Sequence, residues 1–419
     1  MLLKEGKKVL MSIPFLIFSI VMVIDYQTQY SSALCQKIEE PQPGQEEYPI
    51  YGFTDSGDTE MIMQGAIEML IGEYSANAYS SYPFGFYKEA RLNDKEKAEM
   101  GDILAALTGY TAEEIVNTAF KIPYMTQDEE TGALVSVIPD TREEIPVVSE
   151  HVSYQEFQQL MGQASDLVGG GSSYSVENLA AMGRRPLNYE EADEVYQQLR
   201  TSGYSGGYAR LLCDYLCIFS GLLPVFIAIA IWLRDRSAKM RDIVWTRKIS
   251  SIRLTFARYG MIVLLCSAVV LIIAGIAALG LMKLYPGEVS GVFEFFRLTA
   301  IWVIPSIMAS AAIGAFFTEL TDTPAGILFM LGYWYFSIGT TSLTMGGLKW
   351  LTFMPRHNTE FMAEEFAANY SKFLVNRVLF VVASIALVFI TAFILERKRR
   401  GRWFSLDKIS IRRKKESEI

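Results

Sequence analysis

Two histidines and four cysteines are all this chain offers toward a metal site or a disulfide framework. His151 and His357 lie far apart in sequence. Cys213, Cys217 and Cys266 fall in or beside apolar runs, where a thiol behaves as a small hydrophobe. Cys35 stands alone in a polar segment, so no zinc spacing and no disulfide set can be assembled. Catalytic signatures are missing as well: there is no GxxxxGK[ST], no HExxH and no GxSxG. No catalytic residue, metal or bound cofactor is therefore expected of this chain. If ATP drives it, another chain must hydrolyse it. Ionisable residues are scarce inside the apolar runs, which argues against an ion-coupled transporter or a selective channel.

What the chain has in quantity is apolar length. Its 419 residues are 51% hydrophobic and 20% charged, and the two classes are segregated. A spanning helix needs about 20 apolar residues, and six runs approach that: 9–24, 208–233 (apolar from Tyr215 onward), 259–282, 298–318, 324–348 and 378–395. The expected fold class is an all-α, multi-pass membrane protein with six transmembrane helices. The first run is short and interrupted by Pro14, with small residues reaching Ala33. It is read as a retained anchor rather than a cleaved signal peptide, because its apolar core is long and the small residues lie well beyond it. Pro224 and Pro305 predict kinks. Ser306, Ser310 and Gly314 recur at a spacing that lets helices approach closely, and Asp214, four residues after Arg210, predicts a pair on one helix face. In the turn "TDTPAG", Thr323 is placed as a cap and Pro324 at the first helical position.

Lys4, Lys7 and Lys8 precede the first run, eight basic residues fill 234–258 and ten follow Leu395, together 21 of the 38 in the chain. Basic flanks stay in the cytoplasm, so both termini (1–24 with the first span, and 396–419) and the 234–258 loop are expected inside a cell membrane, with lipid around the spans. Nothing in this distribution points to nucleic acid. Residues 25–207 are then extracellular. From 25 to 205 the segment carries 31 acidic residues against ten basic ones, which solubilises an exposed domain.

That domain is expected to be mainly helical. Asn93 precedes Glu96 by three, and the same spacing joins Thr111 to Glu114, Ser153 to Glu156 and Asn188 to Glu191; each pair has the form of a capping box. "ALVSVIP" and "IPVVSEHVSY" are expected to pair as a short hairpin. Residues 349–377 are expected to form a second outer segment, with Phe361, Met362, Phe366 and Tyr370 at helical spacing. The fifth run is the most polar; Tyr333, Tyr335, Ser337, Thr340, Thr341 and Thr344 either line a pathway or bond to neighbouring helices.

One loop carries the functional signal. "RDRSAKMRDIVWTRKISSIRLTFAR", residues 234–258, holds eight Lys or Arg and two Asp between two apolar runs. Contact with anionic lipid accounts for its charge. It does not account for the helical spacing of Met240, Ile243, Val244 and Arg247, which reads as a short helix with something to dock.

This stretch, extended to Gly260, resembles the first cytoplasmic loop of ABC-2 type exporter permeases: an acid–base pair, a short amphipathic helix, then small and polar residues leading into the next span. Asp235 stands where that pattern commonly has Glu, and Ala238–Lys239 where it commonly has Gly–Thr. The six-span order, with a large domain after the first span, resembles the same family. The resemblance implies a type-2 exporter-like bundle. It makes Asp235, Arg236, Met240, Asp242, Ile243, Val244, Trp245 and Arg247 the segment that couples to cytoplasmic ABC ATPase subunits, where ATP and Mg are held. It further implies a second permease subunit, identical or paralogous, and export of an amphipathic peptide, lipid, drug or polymer. A membrane sensor or envelope assembly factor, its outer domain binding a ligand, fits the same layout.

Overall fold

The first helix is too polar to sit among lipid tails. α1 (Leu2–Leu10) is amphipathic and buries Glu5, Gly6 and Val9. At Met11 the chain turns into α2 (Ile13–Asp25), where Ser12 accepts from the Phe15 N–H and Pro14 takes a first-turn position that needs no donor. The helical run continues to Leu34, and its axis is bent 63° from that of α1. Pro14 thus starts a helix rather than interrupting one. A computed structural model describes residues 1–401 other than 46, 84–87, 119, 121–123, 128–133, 138–145, 147, 150, 239, 241–242, 244–248 and 341–344, with backbone alone at 124–127, 134–137 and 339–340.

The chain divides into two units: Met1–Glu40 with Asp193–Ile419, and the inserted Pro41–Ala192. The inserted unit runs β1 (Tyr48–Asp55), α3 (Thr59–Ala76), β2 (Tyr79–Ser81), β3 (Lys88–Ala90), α4 (Asp94–Thr108), α5 (Ala112–Asn117), β4 (Tyr124–Gln127), β5 (Leu134–Val137), α6 (Tyr154–Val168) and β6 (Arg184–Leu187). Its core is built from Ile67 and Leu70 of α3, Leu104 and Leu107 of α4, and Phe157 and Met161 of α6, all fully buried. The capping residues start these helices: Asn93 with Glu96 and Thr111 with Glu114 form reciprocal boxes, and Ser153 accepts from the Glu156 N–H. Among the described residues, three antiparallel two-stranded ribbons pair β1 with β6, β2 with β3 and β4 with β5. The expected hairpin is therefore re-paired. Leu134–Val137 is a strand, but its partner is the upstream Tyr124–Gln127. α7 (Tyr189–Ser202) carries the chain into the second unit, and at its start the side chains of Asn188 and Glu191 each accept the other's backbone N–H at 2.9 Å.

That second unit contains α8 (Tyr204–Leu222), α9 (Pro224–Ser237), α10 (Ser251–Leu284), α11 (Phe293–Thr321), α12 (Gly326–Thr340) and α13 (Ala363–Arg399). Among the described residues, four helices are long and apolar enough to cross a membrane: α8 with α9, α10, α11 and α13; the bent α1–α2 pair adds a fifth only if it is counted as one span. The protein is a multi-pass membrane protein. Within the run expected at 324–348, the described residues give a helix of 15, about 22 Å against the ~30 Å hydrocarbon thickness.

Other boundaries move outward. Ser250 caps α10 at the Arg253 N–H, so the loop expected at 234–258 narrows to 238–250 and Arg258 becomes a helical residue. The outer segment and last span, expected as 349–377 and 378–395, are joined: α13 is one 37-residue helix without a break at Arg377.

Small residues of α11 explain the packing. At Pro224 the helix is interrupted, and Ser310 repairs the break by accepting from the Val225 N–H (3.1 Å) and donating to the Leu222 carbonyl (3.2 Å). A Cβ added to Gly314 would lie 2.8 Å from the Val225 carbonyl oxygen, so only glycine permits this approach. Pro305 is absorbed inside α11, which remains continuous.

Candidate functional site

Charged side chains gather at the two ends of the long helices. Asp214 and Asp235 lie on the α8–α9 pair, roughly 30 Å apart at 1.5 Å per residue.

At the Asp235 end, helices that are distant in sequence are tied by ion pairs. Arg258 of α10 bonds Asp235 at the end of α9 and lies 3.5 Å from Glu5 of α1. Lys398, near the end of α13, reaches Asp322 at 3.1 Å and Glu319 at 3.6 Å, both at the end of α11. Arg236 donates to the Asp322 carbonyl. Glu396 accepts from Ser251 at 2.6 Å, and Arg399 donates to the Ile249 carbonyl at 2.7 Å. Arg258 and Lys398 are mostly shielded from solvent, so these pairs are stronger than exposed ones. The segment between α9 and α10 is thereby fastened where it leaves and where it returns. Within it, the Met240 N–H bonds the Asp235 carbonyl at 2.9 Å; Met240 is 43% exposed and Ile243, in helical conformation, 50%. Asp242, Val244, Trp245 and Arg247 lie outside the described residues.

At the Asp214 end the charges hold backbone. Residues 349–362 run without a long helix, so their carbonyls and N–H groups need partners. Arg377, fully buried on α13, donates to the carbonyls of Trp302 (3.3 Å), Thr352 (2.9 Å) and Phe353 (3.1 Å) and to the Ser306 hydroxyl (3.1 Å). Asn376 beside it donates to the carbonyls of Lys349, Trp350 and Thr352. The Trp302 indole N–H bonds the Pro355 carbonyl at 3.2 Å.

Asp214 accepts from Arg356 at 2.8 and 2.9 Å and from the His357 N–H at 2.7 Å. Arg210 donates instead to the carbonyls of Glu360 and Phe361. The expected Arg210–Asp214 pair does not form, because each residue finds a more demanding partner in this segment. His357 donates from Nε2 to the Phe361 carbonyl at 3.1 Å; burial, aided by Arg210, pushes its imidazole down to about 4.

Of the polar residues on α12, Tyr333 donates to the Leu351 carbonyl at 2.9 Å and stacks near Phe353, so it serves the same embedded segment. Tyr335 is partly exposed against Phe336, and Ser337 is buried. The Thr340 side chain, Thr341 and Thr344 lie outside the described residues. Sequence reasoning passed over Glu5, Arg356, Asn376 and Lys398. Asn376–Arg377 ahead of an uncharged apolar run was the signal available.

Comparison with protein families matches residues 9–357 to the ABC-2 family transporter proteins. The chain belongs to that family. As an ABC-2 permease, it is the membrane subunit of an ABC transporter, a component that in this family is generally not catalytic, and membership implies association with an ATP-binding subunit. No curated protein and no solved structure matches the permease. Among the described residues no cluster of three or more His, Cys, Asp or Glu is placed to hold a metal ion.

Proposed function

We propose that this ABC-2 permease forms the transmembrane path of an exporter, and that residues 238–250 are where a cytoplasmic ATPase grips it. The observation that carries this reading is the double fastening of the loop. Through Arg258–Asp235, Arg236–Asp322 and Arg399–Ile249, a push on the loop reaches α9, α10, α11 and α13 together. Closure of ATP-loaded subunits would then favour one arrangement of the helices, and ATP hydrolysis would release it. Exposed Met240 and Ile243 supply an apolar surface for the grip, while the basic residues around them keep the loop at the cytoplasmic face. Two copies, or this chain with a paralogue, would complete the path, and the substrate would be amphipathic.

The test is co-purification of the ATPase with the Ile243→Asp permease. A charge on that surface should abolish capture while leaving the protein in the membrane with its thermal stability unchanged. Undiminished capture would remove the docking assignment.

A further inference from the structure

The start of α10 and the end of α13 border an open groove of about 800 Å³. Ile252, Phe389 and Phe393 line it, each more than half exposed, and Glu396, Arg399 and Arg400 complete the polar part of the lining. The bonds Arg399–Ile249 and Ser251–Glu396 and the ring contact Phe256–Phe389 fall in reverse order along the two helices, so the helices run antiparallel. The charged residues therefore sit where both helices end, and the phenylalanines lie one and two turns deeper.

Beyond Phe256 the seam stays open, because a Cβ added to Gly260 would meet nothing within 4 Å. On α13, exposed Ile385 and Val382 continue the stripe of Phe393 and Phe389 at helical spacing. An apolar trough thus runs from the charged end into the depth that meets hydrocarbon.

The charge at the mouth is of one sign in excess. Glu396 already accepts from Ser251 at 2.6 Å and from Arg400 Nε at 2.7 Å. Arg400 spends only Nε on that bond and its side chain is 62% exposed, so its terminal amino groups remain available. Arg397 lies 5.0 Å over the Phe393 ring, and Arg253 is exposed on the first turn of α10. Four arginines stand against one carboxylate.

A guanidinium-rich mouth above an apolar trough suits an amphiphile with an anionic head. A free phosphate would leave the trough empty. The choline of a zwitterionic lipid would set a cation among the arginines. We propose that the α10–α13 groove binds an anionic phospholipid, its phosphate meeting Arg400 and one acyl chain lying along Phe393 and Phe389 past Gly260. The proposal goes beyond the exporter reading and needs only that this end of the helices lies at a membrane face. It stands whether or not residues 238–250 dock an ATPase.

The probe is dioleoyl phosphatidylglycerol, titrated into the delipidated full-length permease in detergent and read by native mass spectrometry, with dioleoyl phosphatidylcholine as control. The first phosphatidylglycerol should bind about tenfold more tightly than the first phosphatidylcholine. Arg400→Glu should abolish that preference. Arg234→Glu, an equal change of net charge at an exposed position on the last turn of α9 outside the groove, should preserve it. Ile252→Trp, which fills the groove and keeps every charge, should weaken both lipids, and it decides the matter should Arg400→Glu fail to fold. Glycerol phosphate, the head group without chains, should displace neither lipid. Equal affinity for the two lipids would overturn the proposal, as would equal losses in Arg400→Glu and Arg234→Glu, which mark diffuse attraction. Unchanged phosphatidylglycerol binding by Ile252→Trp, or displacement by glycerol phosphate, would overturn it too.

Discussion

Arg258 and Arg377 are both buried arginines of the same helical unit, yet their partners differ in kind. Arg258 stands between two carboxylates, Asp235 and Glu5, on two other helices. Lys398 at that end likewise faces both Glu319 and Asp322. A cation with two acids in reach can favour one or the other as helices slide, at modest cost. Arg377 instead fans across three carbonyls and a hydroxyl, and a shift of the segment it holds would lose several bonds together. One end of the bundle is therefore built to readjust and the other to stay fixed. That is the arrangement the proposed drive through the loop needs.

The contrast is broken most severely at the fixed end. Arg377→Ala takes a donor from the carbonyls of Trp302, Thr352 and Phe353 and from the Ser306 hydroxyl, leaving Asn376 alone on Thr352 and Ser306 alone on Phe353. It should cost about 3 kcal/mol, read as a large fall in thermal unfolding temperature and in yield from the membrane. Arg258→Gln at the adjustable end should cost less, about 1–2 kcal/mol, since Asp235 retains some access to water and the amide can still donate to it. Its larger effect should be a loss of ATP-driven transport relative to ATP hydrolysis, measured in the reconstituted complex.

Acid sharpens the comparison further. His357 is held neutral by burial, down to about 4 from 6.5, so the unfolded chain takes up a proton that the folded one refuses between those values. The stability this contributes is whole above pH 6.5 and is lost as pH falls toward 4, at most about 3 kcal/mol. Unfolding temperature should drop between pH 7 and pH 5, and His357→Gln should flatten that drop. The smallest effect lies in the inserted unit: Thr111→Ala removes the cap of a six-residue helix and should cost about 1 kcal/mol, visible as faster amide exchange across α5.

The apolar runs made the long helices legible, because about 20 residues without charge have few alternatives. Side-chain caps made the helix starts of the inserted unit legible for a similarly local reason. The fixed end was not. Its logic depends on which carbonyls residues 349–362 leave unsatisfied, and Arg377 meets Trp302 from 75 residues away. Arg210 and Asp214 illustrate the limit, since their spacing allowed a pair that tertiary partners then outbid. The loop after α9 was recognised through its charge and spacing, whereas the counter-charges that fasten it, Glu5 above all, came from segments read as flanks.

Accessibility of position 240 bears most directly on the claim that this loop is the drive point. Cys35 is exposed whereas Cys213, Cys217 and Cys266 are buried, so Cys35→Ser with Met240→Cys offers a single reactive thiol among the described positions. Labelling by a membrane-impermeant maleimide should fail on sealed cells, succeed on inside-out vesicles and be suppressed when the ATPase subunit is bound. Labelling of sealed cells, or labelling of vesicles that the bound ATPase leaves unchanged, would contradict it.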